Sequence, residues 1–285
     1  MSLKVTSDGL KVNDMNGLMD AAVSIAMQWR CRPWWRGQAD KDWDLYPRLY
    51  REKLEGNETE WNATFCRKAR VRHHHCPDGE FSPEWLFLAQ HYDLPTRLMD
   101  WSESMMVALF FALEDPRMTG EAGCAIWAFQ PLLLNSRQGI KGIVTPSHPD
   151  VCRLFRDAFV KPTPDRDPEL RVIAINAQQI DPRQMVQQAT FTVHGTGTPL
   201  NHLPEAQDAL MRIIIPQEDC DYFRKRLELL GITRDSLFPD LANLAKEVRT
   251  LHFARPEQPS AEELADATKP IPLIPSPPLT PETKL

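Results

Sequence analysis

Ala89 to Ala112 reads AQHYDLPTRLMDWSESMMVALFFA and sets charged, aromatic and hydroxyl side chains directly ahead of an apolar helix. Leu98, Met99 and Trp101 flank Arg97 and Asp100, so burying the apolar residues holds the charged ones against low-dielectric surroundings, where an unpaired charge is costly. Two outcomes follow: an Arg97–Asp100 ion pair that locks a loop to the core, or a binding cleft. Met105 to Leu113 is apolar all round, which predicts a helix that starts near Ser102 or Glu103 and is buried on most sides.

Working outward, Trp34-Trp35-Arg36-Gly37-Gln38 reads as a short extended segment, because Pro33 blocks a helix and paired aromatics favour a strand. Trp43 to Arg48 is extended too, held off helix by Pro47. A packing helix is expected over Asp14 to Trp29 with Asn13 or Asp14 as its cap, and further helices near Glu58–Arg72 and Pro83–His91, the latter capped by Ser82. Strands are expected at Gly123–Phe129, Arg171–Ile175, Ala189–His194 and Met211–Ile215. Helices near Asp150–Phe159, Glu218–Leu230 and Pro239–Phe253 separate or follow them. Mixed order without regular βα alternation predicts an α+β fold, one domain over residues 1–254 with an antiparallel or mixed sheet flanked by helices. From Arg255 to Leu285 prolines punctuate a stretch with almost no aromatic residues. Such a composition predicts a disordered, solvated tail, or a polyproline ligand for a partner.

Lys+Arg 33 against Asp+Glu 39 gives a net charge of −6, which argues against a nucleic-acid binder held by a broad basic surface. The one basic concentration, Arg67, Lys68, Arg70 and Arg72 ahead of His73–His75, reads as a solvated helix face. Six scattered cysteines with no CxxC spacing fit reduced thiols in a cytoplasmic protein, and no second ligand pair accompanies the histidines, so no metal is expected. No window approaches a membrane span, and no leader opens the chain, so a soluble protein with no membrane partner is expected.

Trp35-Arg36-Gly37-Gln38, followed by Trp43, Leu45, Pro47 and Arg51, resembles the opening signature of the FRG-domain family, whose name refers to an aromatic-Arg-Gly motif. Leu88 to Trp101, then Ala108, Phe111 and Ala112, is similar to its central signature; Gln187–Thr192 and Leu237-Phe238-Pro239-Asp240 are similar to its last elements. The resemblance covers about residues 16 to 252. The family has glycine where this chain has Asp93 and Ala189. Aspartate visits the left-handed backbone region with modest strain, alanine less easily, so the strand near Ala189 is expected to be set slightly differently.

A more distant resemblance of pattern is to the Arg-Ser-Glu class of ADP-ribosyltransferases. It implies that the chain handles NAD or a related nucleotide, as a transferase-like or NAD-consuming effector of a toxin or phage-defence kind, with a protein as target or partner. Under it Arg36 holds a phosphate of NAD, Gly37 lets the nicotinamide amide approach the backbone, and Ser102 or Ser104 braces the site. Gln38, Arg97 and Trp101 complete the cofactor-binding set. His91, Asp100 and Gln187 join Arg36 as catalytic candidates. The transferases place a glutamate where this chain has Gln187-Gln188, and an amide supplies no negative charge to an oxocarbenium, so Asp100 would have to supply it from another wall. Plainer readings stand beside these. Arg36 pairs with an internal carboxylate such as Asp100, His91 is a structural histidine, and the serines cap the apolar helix. The rivals in function are a non-catalytic nucleotide- or protein-binding module, and a nucleic-acid-processing enzyme using His91 and Asp100; the missing carboxylate cluster counts against the latter.

Overall fold

Trp34 and Trp35 are both nearly fully buried. Successive residues of a strand face opposite ways, so the segment that carries them has to be covered on both sides. In the computed structural model it lies inside a seven-stranded mixed sheet. The structure describes residues 9–114, 123–161, 163, 168–176 and 181–253, with the backbone alone for 250–253.

The chain runs through β1 (Leu10–Lys11), α1 (Met15–Trp29), β2 (Trp34–Gln38), α2 (Arg48–Arg51), α3 (Glu58–Ala69), α4 (Glu84–His91) and β3 (Leu98–Ser102). It continues with α5 (Met105–Glu114), β4 (Cys124–Phe129), α6 (Pro131–Arg137), α7 (Pro149–Phe159), β5 (Val172–Ile175), α8 (Pro182–Val186), β6 (Ala189–His194), β7 (Leu210–Ile215), α9 (Cys220–Leu229) and α10 (Arg234–Leu237). Strand order is β1-β7-β4-β2-β3-β6-β5, antiparallel at every pairing except β1 with β7. This is the expected α+β architecture with a mixed sheet. One compact unit ends at Pro239, and Asp240 opens another containing α11 (Leu241–Phe253), whose start Asp240 caps through Oδ1 to the Ala242 and Asn243 amides at 3.0 Å each. The proline-rich tail expected over 255–285 lies outside the described residues.

Four apolar clusters lie in the first unit, three of them built on the sheet and a small one around Trp85 and Leu88 of α4 and Ala69 of α3. On one face Trp35, Ile126 and Ile213 pack against α1, α5 and α9. On the opposite face Trp34, Trp101, Trp127 and Phe129 pack with Leu134 of α6. Leu98, Phe191 and Val193 pack under Phe87 of α4 and Leu154 and Phe155 of α7. Helix α5 is buried at seven positions, as its unbroken apolar character predicts. It lies so close on β2 that a Cβ at Gly37 would fall 1.9 Å from the Ala108 carbonyl oxygen.

Several expectations change in detail. Leu98–Ser102 is a central strand rather than a loop. Trp43–Tyr46 joins no strand; the Leu45 amide donates to Asn201 Oδ1 at 2.8 Å instead. Ser82 sits one residue ahead of the cap position of α4, where Pro83 stands, and its Oγ accepts from the Glu84 amide at 3.4 Å. Asp93 takes the left-handed conformation (φ 64°) that an aspartate tolerates with modest strain, whereas near Ala189 that conformation falls on Gln188 (φ 47°) and Ala189 is ordinary strand. No helix among the described residues is long and apolar enough to cross a membrane.

Candidate functional site

Strands β2 and β3 pair at one position only, Trp35 with Ser102. Beyond it residues 36–38 stay paired with β4 and residues 98–101 with β6, so the two halves of the sheet part. A cavity of about 340 Å³ opens along this parting, walled by Trp35, Val107 and Phe111 on one side and Phe87, Leu98 and Phe191 on the other. Where the ladder is interrupted a strand carbonyl lacks its usual donor. Arg36 supplies one, its Nη1 donating to the Asp100 carbonyl oxygen at 2.6 Å. The guanidinium thus bridges the gap and lines the cavity, half-buried. It holds the backbone of Asp100, and no ion pair joins it to the Asp100 carboxylate.

The Asp100 carboxylate is exposed and lines the same cavity, accepting from Gln90 Nε2 at 2.6 Å; Gln90 Oε1 in turn accepts from Thr96 Oγ1. The Arg97–Asp100 pair does not form. Residues three apart on an extended chain point to opposite faces, and Arg97 turns into the interior, 7% exposed, to grip Glu58. Its Nε donates to Glu58 Oε1 at 2.9 Å and its Nη1 to the Leu154 carbonyl at 3.0 Å. Arg97 therefore stands off the cavity, a correction to its expected role as a ligand contact.

Ser102 Oγ donates to the Gln187 carbonyl at 2.7 Å and accepts from the Ser104 amide at 3.0 Å. Ser104 Oγ accepts from the Val107 amide at 3.4 Å, so it caps α5 and does not line the cavity. Gln187 and Ser102 do line it, but Gln187 Nε2 donates to the Leu237 carbonyl at 2.9 Å. Gln38 is engaged on both ends, accepting from Trp127 Nε1 at 2.7 Å and donating to the Asp44 carbonyl at 3.1 Å. The Trp101 indole packs on Phe129 (ring centroids 4.7 Å apart) and donates to Thr192 Oγ1 at 3.1 Å, so its ring belongs to the core. Gly37 lines the cavity too, yet the missing side chain is demanded by α5.

Sequence reading missed several lining groups. Arg48 pairs with Glu52 and with Asp93 Oδ1 at 2.6 Å; Arg183 lies over the Phe238 ring at 4.5 Å; Arg51 lines the cavity as well. His91 Nδ1 lies 3.1 Å from Asp181 Oδ2. Asp181 had a visible signal, an aspartate directly ahead of a proline, the pattern of a helix cap, and it caps α8 through the Gln184 amide at 3.0 Å. His194, not singled out by sequence, is fully buried on β6, its Nε2 2.9 Å from Thr192 Oγ1. Burial first, then the positive charges of Arg36 and Arg97, push its pKa down to about 3, so the ring is neutral. Among the described residues no group of three or more His, Cys, Asp or Glu side chains is placed to hold a metal ion.

Residues 32–121 match the family model of the FRG domain. The matched segment contains β2, β3 and α5, the elements between which the cavity opens. No curated protein and no solved structure matches the chain.

Proposed function

We propose that this chain, which carries an FRG domain over residues 32–121, binds a nucleotide containing a diphosphate, NAD being the specific candidate, in the cavity between β2 and β3. One observation carries the reading. The parted strands place Arg36 beside a cavity that Arg48, Arg51 and Arg183 also line, against three lining aspartates, Asp93, Asp100 and Asp181. Guanidinium groups bind phosphate oxygens through two parallel N–H bonds, and Trp35 and Phe111 offer apolar walls for a flat ring. The cavity volume of about 340 Å³ falls at the lower end of small-molecule sites, which span roughly 300–1,000 Å³.

In the transferase version of this reading Asp100 supplies the negative charge that Gln187 lacks, stabilising a cationic ribose in the transition state. A second version is favoured by Gln187 itself. Its amide nitrogen is already engaged by the Leu237 carbonyl, the arrangement of a wall rather than a reacting group, which fits a nucleotide-binding module without turnover. The experiment is thermal unfolding with and without NAD, in the native chain and in Arg36→Gln. At a hundredfold excess over Kd the native chain gains about 2.7 kcal/mol, and Arg36→Gln loses the gain. Equal gains in both, or none in the native chain, end the reading. Nicotinamide release from bound NAD separates enzyme from module.

A further inference from the structure

We propose that His91 and Asp181 form a proton-accepting dyad inside the cavity, with His91 as a catalytic base toward an acceptor O–H and Asp181 as its positioning residue. The proposal rests on the NAD reading above. His91 ends α4 and Asp181 opens α8, and both line the cavity. The two oxygens of Asp181 are differently employed. Oδ1 accepts from the Gln184 amide at 3.0 Å, which fixes the carboxylate as a helix cap. Oδ2 is buried, accepts no hydrogen bond among the described residues, and sits 3.1 Å from His91 Nδ1.

A buried carboxylate oxygen left without a donor is expensive. His91 Nδ1, 3.1 Å away, is placed to supply that donor once the ring turns toward Oδ2, and the dyad assigns it the Nδ1–H tautomer. That choice leaves Nε2 as the ring's acceptor. Nε2 has no hydrogen-bond partner among the described residues, and its side chain lines the cavity. A carboxylate that holds one imidazole nitrogen protonated and aims the other at a substrate is the arrangement by which histidine serves as a general base. A merely structural histidine on the surface of α4 has no need of a buried acceptor fixed by a second helix.

The chemistry assigned to the dyad closes without an oxidant or reductant. Nε2 takes the proton of an acceptor O–H, water or a hydroxyl, and the acceptor oxygen bonds to ribose C1′. The bond from C1′ to nicotinamide breaks, and its electron pair leaves on the ring nitrogen, turning a cationic pyridinium into neutral nicotinamide. His91 ends as imidazolium, its charge balanced by Asp181.

The experiment compares native chain, His91→Gln and Asp181→Asn. Asparagine caps a helix as well as aspartate does, so Asp181→Asn keeps the start of α8 and removes only the charge. NAD affinity is measured by calorimetry, nicotinamide release at saturating NAD by chromatography, and the His91 tautomer by nitrogen NMR. The expected result, read at saturating NAD for each variant, is release falling roughly a hundredfold or more in His91→Gln, the usual range for a lost general base. Asp181→Asn shifts the tautomer toward Nε2–H and lowers the rate at saturating NAD, and that loss of rate is what a purely structural contact would not produce. Normal NAD binding with no release from the native chain, or native release rates in His91→Gln, overturns the dyad while leaving the nucleotide site standing. Absence of NAD binding to the native chain overturns both.

Discussion

Arg97 and Glu58, 39 residues apart in sequence, close a two-pronged ion pair in which Nε reaches Oε1 at 2.9 Å and Nη2 reaches Oε2. Glu58 is the first residue of α3 and 2% exposed; Arg97 precedes β3 and also holds a carbonyl of α7. The pair joins three elements at one buried point. The Glu58 carboxylate, by hydrogen bond and charge, raises the Arg97 pKa against the opposing effect of burial, which is the larger single influence on the group.

Removing one partner leaves a charge buried without compensation, so Arg97→Met and Glu58→Gln each destabilise the fold by about 3–5 kcal/mol in urea titration. Replacing both, Arg97→Met with Glu58→Leu, costs less than the sum, because no stranded charge remains. Arg97 lies off the cavity, so the folded fraction of any of these variants retains its ligand affinity.

Gly37→Ala is destabilising for a packing reason. The added Cβ meets the Ala108 carbonyl oxygen at 1.9 Å and the Ala112 nitrogen at 2.6 Å. Both are helix backbone and cannot swing aside, so α5 must move off β2, at about 3 kcal/mol or more. Thermal melting reads the loss. A melting point unchanged from the native chain would mean that α5 sits farther from the strand.

His194 makes stability depend on pH in a window of its own. Its folded pKa, about 3, lies below the ordinary value of 6.5, so the unfolded chain binds more protons between these values. The contribution is complete above the unfolded value and declines as pH falls, by about 2 kcal/mol between pH 7 and pH 5. Asp150 and Glu169, whose pKa values Arg171 lowers from 3.8 and 4.5, begin to act only as pH falls toward those unfolded values, in the lower part of the His194 window. His194→Gln flattens the profile between pH 7 and pH 5 in denaturant titration; an unchanged slope would assign the acid sensitivity elsewhere.

Asp93 carries a positive φ of 64° and an exposed pair to Arg48. Glycine relieves the backbone, and loss of an exposed pair costs little, so Asp93→Gly stays within about 1 kcal/mol of the native chain. Asp93→Val keeps neither advantage and costs about 1–2 kcal/mol. Equal stability of the two variants would show that the backbone there relaxes freely.

Much of the fold was legible because its signals are local. Asp14 caps α1 where the sequence places a cap, and the expected strands at Ala189–His194 and Met211–Ile215 match β6 and β7 to within one residue. Strand β3 was hidden because its five residues, LMDWS, mix charge with bulk. Alternation there serves two different clusters, Leu98 on one face and Met99 and Trp101 on the other, rather than one core and solvent. Of the residues expected at the site, Arg36, Gly37, Gln38, His91, Asp100, Trp101, Ser102 and Gln187 line the cavity, while Arg97 and Ser104 do not. Motif membership shows that residues matter together, but not which way each side chain turns.

By itself the sequence determined the helices with their caps, the twin-indole strand, the α+β class and the FRG signature, because periodicity, capping and turn chemistry act over a few residues. Only the tertiary structure decided that β2 and β3 part after a single pairing, that Arg36 bridges to the Asp100 carbonyl, that Arg97 turns inward to Glu58, and that Asp181 lies beside His91. Each of these joins groups far apart along the chain, and a charged side chain takes whichever partner the packed core brings within hydrogen-bond distance.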